Sequence, residues 1–336
     1  MLRLTLAIAL LAAACVANAG GYRAPRAADG HPDLGGLWSS ISLTELERPS
    51  WSPALILSDA QALAFEKRRQ KEFAAVEDGV GGRASEIGFW PETGAQLARI
   101  DGHARSSWIV EPADGRLPPY TADGLAAIRS FPATVANSAN PETRSASERC
   151  LLAGFAGSGP PMLNGPYASL YQIVQTRDAV AIHLETVHEV RIVRLDAKTH
   201  LPANVRPWLG DSIARWEAET LVVETTNFNR GDAFKVPIGV YISPDAKVTE
   251  RFTRVSPTQL RYDFAVEDPK AFSKTWRAEM VFSATKGPIY EYACHEGNYA
   301  MRGILGGARN LESQGITPTE GPGIFGTPIP QKKAGS

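Results

Sequence analysis

The stretch SLYQIVQTRDAVAIHLETVHEVRIVRL, residues 169–195, decides the fold class. Tyr171 and Ile173, then Val180, Ile182 and Leu184, then Val190 and Ile192 recur at every second position. That is the period of a half-buried strand, not of a helix. The turn-forming Thr176-Arg177-Asp178 interrupts the pattern once. The same short alternating runs continue as SIARWE from 212, TLVVETTNF from 220, KVTERFTRV from 247, QLRYDFAV from 259, TWRAEMVFSA from 275 and PIYEYA from 288. With SLYQIVQ, VAIHLET and EVRIVRL, these make nine candidate strands separated by turns, which predicts an antiparallel meander. No strand–helix alternation is visible, so a parallel sheet is not expected. A sheet of this size curls, and closing it removes exposed edges; the expectation is a mainly β, lipocalin-like barrel.

The preceding chain reads differently. Gly36-Leu37-Trp38-Ser39-Ser40 marks a first strand, and its Gly-x-Trp is similar to the opening of lipocalin-type barrels. Ser58-Asp59 then caps a surface helix running to about Glu77, with Ala62, Phe65, Arg69 and Phe73 on one stripe. A short helix is predicted at 121–130 within loop-rich chain that extends to 150. The glycine run from Gly154 to Met162 lacks both the Gly-Lys-Ser/Thr ending of a phosphate loop and the spacing of a nucleophile elbow.

Arg3 followed by the apolar run 4–16 and Ala17-Asn18-Ala19 has the layout of a secretory signal peptide over residues 1–19. A second reading makes Cys15 the lipidated residue of a lipoprotein. The expected organisation is thus a signal peptide, an N-terminal strand, helix and loops over 20–150, a barrel module over 151–312, and a Pro/Gly-rich tail over 313–336. The compartment is periplasmic or extracellular, with no integral membrane segment in the mature chain. A net charge of −1 and a pI of about 6.6 leave no basic field for nucleic acid. A small-molecule ligand is the expected partner.

Several motifs sit on this scaffold: Arg149-Cys150, Glu185-x-x-His188-x-x-Arg191, Trp208-Leu-Gly-Asp-Ser212, Arg215-Trp-Glu217, Thr220 to Phe228 and Tyr292-Ala-Cys-His-Glu-Gly-Asn-Tyr299. Together they resemble a family of exported, uncharacterised bacterial proteins over about residues 140–310. The resemblance implies a shared β-rich module and carries no reaction. The family pattern has Gly-Asp where this chain has Ala218-Glu219.

Two groups of side chains invite a chemical reading. On a straight strand His183, Glu185, Glu189 and Arg191 share one face, and Leu184, His188, Val190 and Ile192 the other. A bend near 186–189 would bring His188 in beside Glu185, and this arrangement is the one expected. The spacing of His183 and His188 does not match helical metal-ligand pairs, so no metal or other cofactor is expected. The second group is Tyr290, Tyr292, His295, Glu296 and Asn298, with Trp216 as a pocket wall. Acid–base chemistry by His188 and His295, with Glu185 orienting and Arg191 and the tyrosines holding an oxygenated substrate, would suit elimination, isomerisation or hydrolysis. The alternative is a carrier or sensor in which the same groups fix a ligand's polar end.

Export leaves Cys150 and Cys294 as an even pair in an oxidising compartment, which predicts a disulfide. Cys150→Ser or Cys294→Ser is expected to lower the melting temperature by several degrees and to free one alkylatable thiol. Two free thiols in unreduced wild-type protein, counted by mass after alkylation, would refute the pairing.

Overall fold

The computed structural model describes residues 21–79, 94–136, 139–152, 157–165, 169–195, 197–230, 234–235 and 239–315. The expected signal peptide, Cys15 and nearly all of the expected tail lie outside them.

Among the described residues fifteen strands form, in chain order β1 (Gly36–Ser39), β2 (Ile56–Leu57), β3 (Arg99–Ile100), β4 (His103–Arg105), β5 (Ile109–Glu111), β6 (Leu170–Gln175), β7 (Ala179–Leu184), β8 (Glu189–Leu195), β9 (Asp211–Glu217), β10 (Thr220–Thr226), β11 (Phe234–Lys235), β12 (Val240–Tyr241), β13 (Lys247–Arg254), β14 (Gln259–Glu267) and β15 (Trp276–Ala284). Nine of them close a barrel in the order β1-β6-β7-β8-β9-β10-β13-β14-β15, with β15 returning to β1 through Trp38↔Ala284 and Ser39↔Ser283. The edge of β15 is shared: β1 covers one end, and β5 covers the other through Arg277↔Glu111 and Ala278↔Ile109.

The barrel expectation is met, with two corrections. PIYEYA forms no strand, and the ninth wall strand is β1. β8 and β9 run parallel, paired as Val193↔Ser212, Arg194↔Ile213 and Leu195↔Ala214, so the sheet is mixed. A parallel neighbour needs a crossover from one end of the barrel to the other. Here an extended loop over 197–210 makes it without a helix, which is why no strand–helix alternation announced it.

Alternation places the core inside. Tyr171, Ile173, Val180, Ile182, Leu184, Leu221, Val223, Val248, Phe252, Tyr262, Phe264 and Phe282 are all buried. Aromatic rings link the walls across the interior: Phe252–Tyr262 at 5.0 Å, Tyr262–Phe282 at 4.9 Å and Tyr171–Phe282 at 5.2 Å. One end is sealed by residues 21–35. Leu34 donates its amide to Gln175 Oε1 (3.2 Å), Arg26 pairs with Glu219 (2.7 Å), Arg254 donates to the Asp33 carbonyl (2.8 Å), and His31 stacks on Trp216 at 4.9 Å.

The N-terminal half forms a satellite. The helix Asp59–Gly79 opens with a capping box, Gln61 N–H to Ser58 Oγ (3.3 Å) and Ser58 N–H back to Gln61 Oε1 (2.9 Å). Ala62 and Phe65 bury their stripe against Leu43, Leu57, Leu97 and Ala104, next to the small sheet β2-β4-β3. A second helix spans Ala122–Ala136. The predicted disulfide is present, Cys150–Cys294, and it precedes a helix Tyr299–Ser313 that the sequence reading did not anticipate. No helix among the described residues is long and apolar enough to cross a membrane.

The β9–β10 hairpin shows the local consequence of Ala218-Glu219. Glu217 pairs with Thr220, leaving a two-residue turn in which Ala218 takes φ +53°. A Cβ in the left-handed region costs about 1–2 kcal/mol, which glycine avoids. Ala218→Gly is therefore expected to stabilise the protein by roughly 1 kcal/mol, measured by chemical denaturation; destabilisation would show that the turn tolerates Ala218 without strain.

Candidate functional site

The stretch that decides the fold also carries the site, but with the opposite face inward. β7 buries Val180, Ile182 and Leu184. Leu184 pairs with Glu189 across a four-residue turn in which Val187 and His188 adopt φ +60° and +53°. The turn re-phases the chain, so β8 turns Glu189, Arg191 and Val193 inward while Val190 and Ile192 are about half exposed. The expected bend is present, yet it delivers the acid at 189 and not the histidine at 188.

Inside the barrel Arg191 forms a two-pronged ion pair with Glu250 of β13: Nη1 donates to Oε2 at 2.7 Å and Nη2 to Oε1 at 3.1 Å. Tyr262 of β14 donates to Glu250 Oε1 at 2.8 Å and accepts the Met162 amide at 2.9 Å. Ser158 donates its hydroxyl to the Glu189 carboxylate, 2.6 Å from Oε2. Tyr171 donates to the Gly157 carbonyl at 3.1 Å. Every one of these side chains is at least nine-tenths buried. Burial pushes the Tyr262 phenol well above its ordinary range, reinforced by the Glu250 charge, and burial likewise raises Tyr171. Both therefore serve as neutral donors.

The segment 157–163 plugs the barrel end opposite residues 21–35, and Leu209 of the crossover presses on it: a Cβ added at Gly159 would meet Leu209 Cδ2 at 2.8 Å. The interior space between Gly157, Gly159, Met162, Leu184, Arg191 and Leu209 is about 10 Å³. That is room for about one water molecule. Arg191 Nε is buried without a hydrogen-bond partner among the described residues.

Of the residues expected from the sequence to form a site, only Arg191 is in this interior. Glu185 is half buried at the start of the β7–β8 turn and His188 is exposed at its end. Tyr290 (68% exposed), Tyr292, His295 and Glu296 lie on the surface around the disulfide. Asn298 is engaged in structure: it caps the helix Tyr299–Ser313 at the Met301 amide and donates to the Glu148 carbonyl at 2.7 Å. Trp216 closes the sealed end against His31. No hydrogen bond or ion pair joins His188 to His295, and neither lies in the barrel interior. Among the described residues no cluster of His, Cys, Asp and Glu could hold a metal ion.

The sequence reading missed Glu250, Tyr262 and Ser158 as site residues. For two of them a signal existed. Glu250 occupies the inward parity between Val248 and Phe252, and Tyr262 that between Leu260 and Phe264. A lone acid in the apolar register of one strand and a lone arginine in that of another are a pair in waiting, because neither can be buried alone. Ser158 sits in an irregular segment without periodicity. A further polar cluster, His200 with Asp211, Glu224 and Arg194, lies outside the barrel wall under the crossover.

No protein-family model, curated protein or solved structure matches the chain.

Breaking one half of a buried ion pair leaves an uncompensated charge, whereas replacing both halves with apolar groups is often neutral. Arg191→Met and Glu250→Leu are each expected to cost about 3–5 kcal/mol in chemical denaturation, and the double variant to recover most of that loss. A double variant as unstable as the singles would show that the two residues are held by separate interactions.

Proposed function

We propose that this chain is an exported binding protein whose barrel takes a small, uncharged, hydroxyl-bearing organic molecule at the Glu189–Arg191–Glu250 interior. The observation that carries the reading is Arg191, which lines a residual space in an otherwise apolar, aromatic-lined barrel and whose buried Nε has no hydrogen-bond partner among the described residues. An unsatisfied buried donor is costly, and a ligand oxygen in that space would relieve the cost. A hydroxyl group can both donate to the Glu189 carboxylate and accept from the Arg191 guanidinium, which fits an alcohol better than a second carboxylate, an acceptor only. Anything larger than water enters only as residues 157–163 or Leu209 give way. The resemblance to exported proteins and the Cys150–Cys294 bridge support an oxidising compartment.

Binding without turnover is the reading favoured over the acid–base enzyme. All six histidines lie in the described residues, and each is exposed, faces outward from the wall or sits outside the barrel. A catalyst built here would have to move protons through Glu189, which already accepts from Ser158.

Native mass spectrometry of protein purified from the periplasm, followed by NMR titration with two- to four-carbon alcohols and the corresponding carboxylates, tests the proposal. A retained neutral mass, or saturable shifts with the alcohols that Glu189→Gln weakens, is expected. Absence of both, or a preference for the carboxylates, would overturn it.

A further inference from the structure

Outside the barrel wall the imidazole of His200 stands between two carboxylates. Nδ1 is 2.9 Å from Asp211 Oδ2 and Nε2 is 3.2 Å from Glu224 Oε1. An ionised carboxylate can only accept, so both contacts are hydrogen bonds at once only when both ring nitrogens carry protons. A neutral ring supports one of them. The remaining charged neighbours are placed around this pair. Arg194 of β8 donates to both Asp211 oxygens at 2.9 and 3.0 Å. Lys247 of β13 is held by Glu267 at 2.9 Å and also feels the Glu224 charge. Burial opposes ionisation of Asp211, but the Leu201 amide, His200 and Arg194 outweigh it and hold its carboxyl below the ordinary aspartate range.

We propose that His200 is a proton-operated latch for the crossover loop 197–210, engaged when the ring is doubly protonated and released as it becomes neutral. The loop offers little else to hold it. Most of its side chains from Leu201 to Pro207 are exposed, and hydrogen bonds hold it at two places. One is the His200 end, where Leu201 N–H donates to Asp211 at 2.9 Å and Asn227 donates to the Leu201 carbonyl at 2.9 Å. The other is Arg206, whose carbonyl accepts from Asn229 at 3.1 Å and whose guanidinium donates to the Phe228 carbonyl at 3.1 Å and to the Pro244 carbonyl and Asp245, both at 2.6 Å. Only the first anchor holds an imidazole.

The sign follows from the two titrating partners. Asp211 must be ionised, so the latch fails in strong acid as pH falls through that depressed range. Both ring nitrogens of His200 must carry protons, so the latch also fails when the ring gives one up. Between these limits the loop is fastened. Because the loop carries Leu209, which lines the interior space, release would ease entry to the barrel; that consequence rests on the binding proposal, whereas the latch itself does not.

The test is hydrogen exchange at the Leu201 and Val205 amides at pH 5.5 and 8, corrected for intrinsic rates, together with NMR of the ¹⁵N-labelled His200 ring. The expected result is protection at least about tenfold greater at pH 5.5, with both ring nitrogens protonated there, as the loss of one charge-assisted hydrogen bond implies. In His200→Gln the pH dependence should vanish. Equal protection at both pH values, a ring with a single proton at pH 5.5, or an unchanged pH dependence in His200→Gln would each overturn the latch. None of these readouts requires a ligand, so failure of the binding proposal leaves them interpretable.

Discussion

The interior salt bridge between Arg191 and Glu250 is the constraint on which the barrel's geometry depends. A guanidinium and a carboxylate taken from water lose several kcal/mol of hydration each, and recover it only through close, well-aligned contact. β8 and β13 are separated in the wall by β9 and β10, so their side chains meet across the lumen and not along the sheet. A slip of one residue in either strand would turn one charge outward and strand the other in an apolar core. Tyr262 extends the constraint to β14 and, through the Met162 amide, to the plug. Four parts of the molecule are therefore registered by one charged contact.

That constraint explains an otherwise odd local structure. For Arg191 to point inward, β8 must have the opposite parity to the one a straight continuation of β7 would give. Four residues separate the paired positions Leu184 and Glu189, and two of them, Val187 and His188, sit at positive φ. A β-branched residue at φ +60° is strained, and the strain is sustained because the alternative would place Val190 and Ile192 in the lumen and two charges outside. Polar groups thus won the interior at the expense of two exposed aliphatic side chains. Such an inversion makes sense where the interior has a use for charge.

The legibility of the sequence divides along the same line. Eight wall strands and the first strand at Gly36 were readable because their burial alternates with period two and their turns carry Asp, Pro and Ser. The segment from 288 to 293 has the same alternation but precedes a disulfide-tied surface helix, and its tyrosines are exposed; alternation reports a pleat only where a partner strand exists. The parallel pair was hidden because a loop, with no helical period, makes the crossover. In the site, Arg191 was legible as a charge that must pair if buried, but its partner lies 59 residues on, in a strand that looks like any other. His188 drew attention by its proximity in sequence to Glu185 and Arg191. Proximity along a hairpin means little at its tip, where side chains leave the sheet.

Placement of the histidines also bears on what the interior can do. Proton transfer near neutral pH is easiest with a group that titrates there, and the lumen holds instead two carboxylates locked to an arginine and a serine and two phenols raised by burial. Hydrogen bonded in place, these groups are suited to holding hydroxyl groups in a defined geometry. The one imidazole with carboxylates on both sides, His200, lies outside the wall and fastens the crossover. The division is physically coherent: fixed charges inside set the shape of the lumen, and the proton-sensitive group acts on the loop that borders it, where water can deliver and remove the proton.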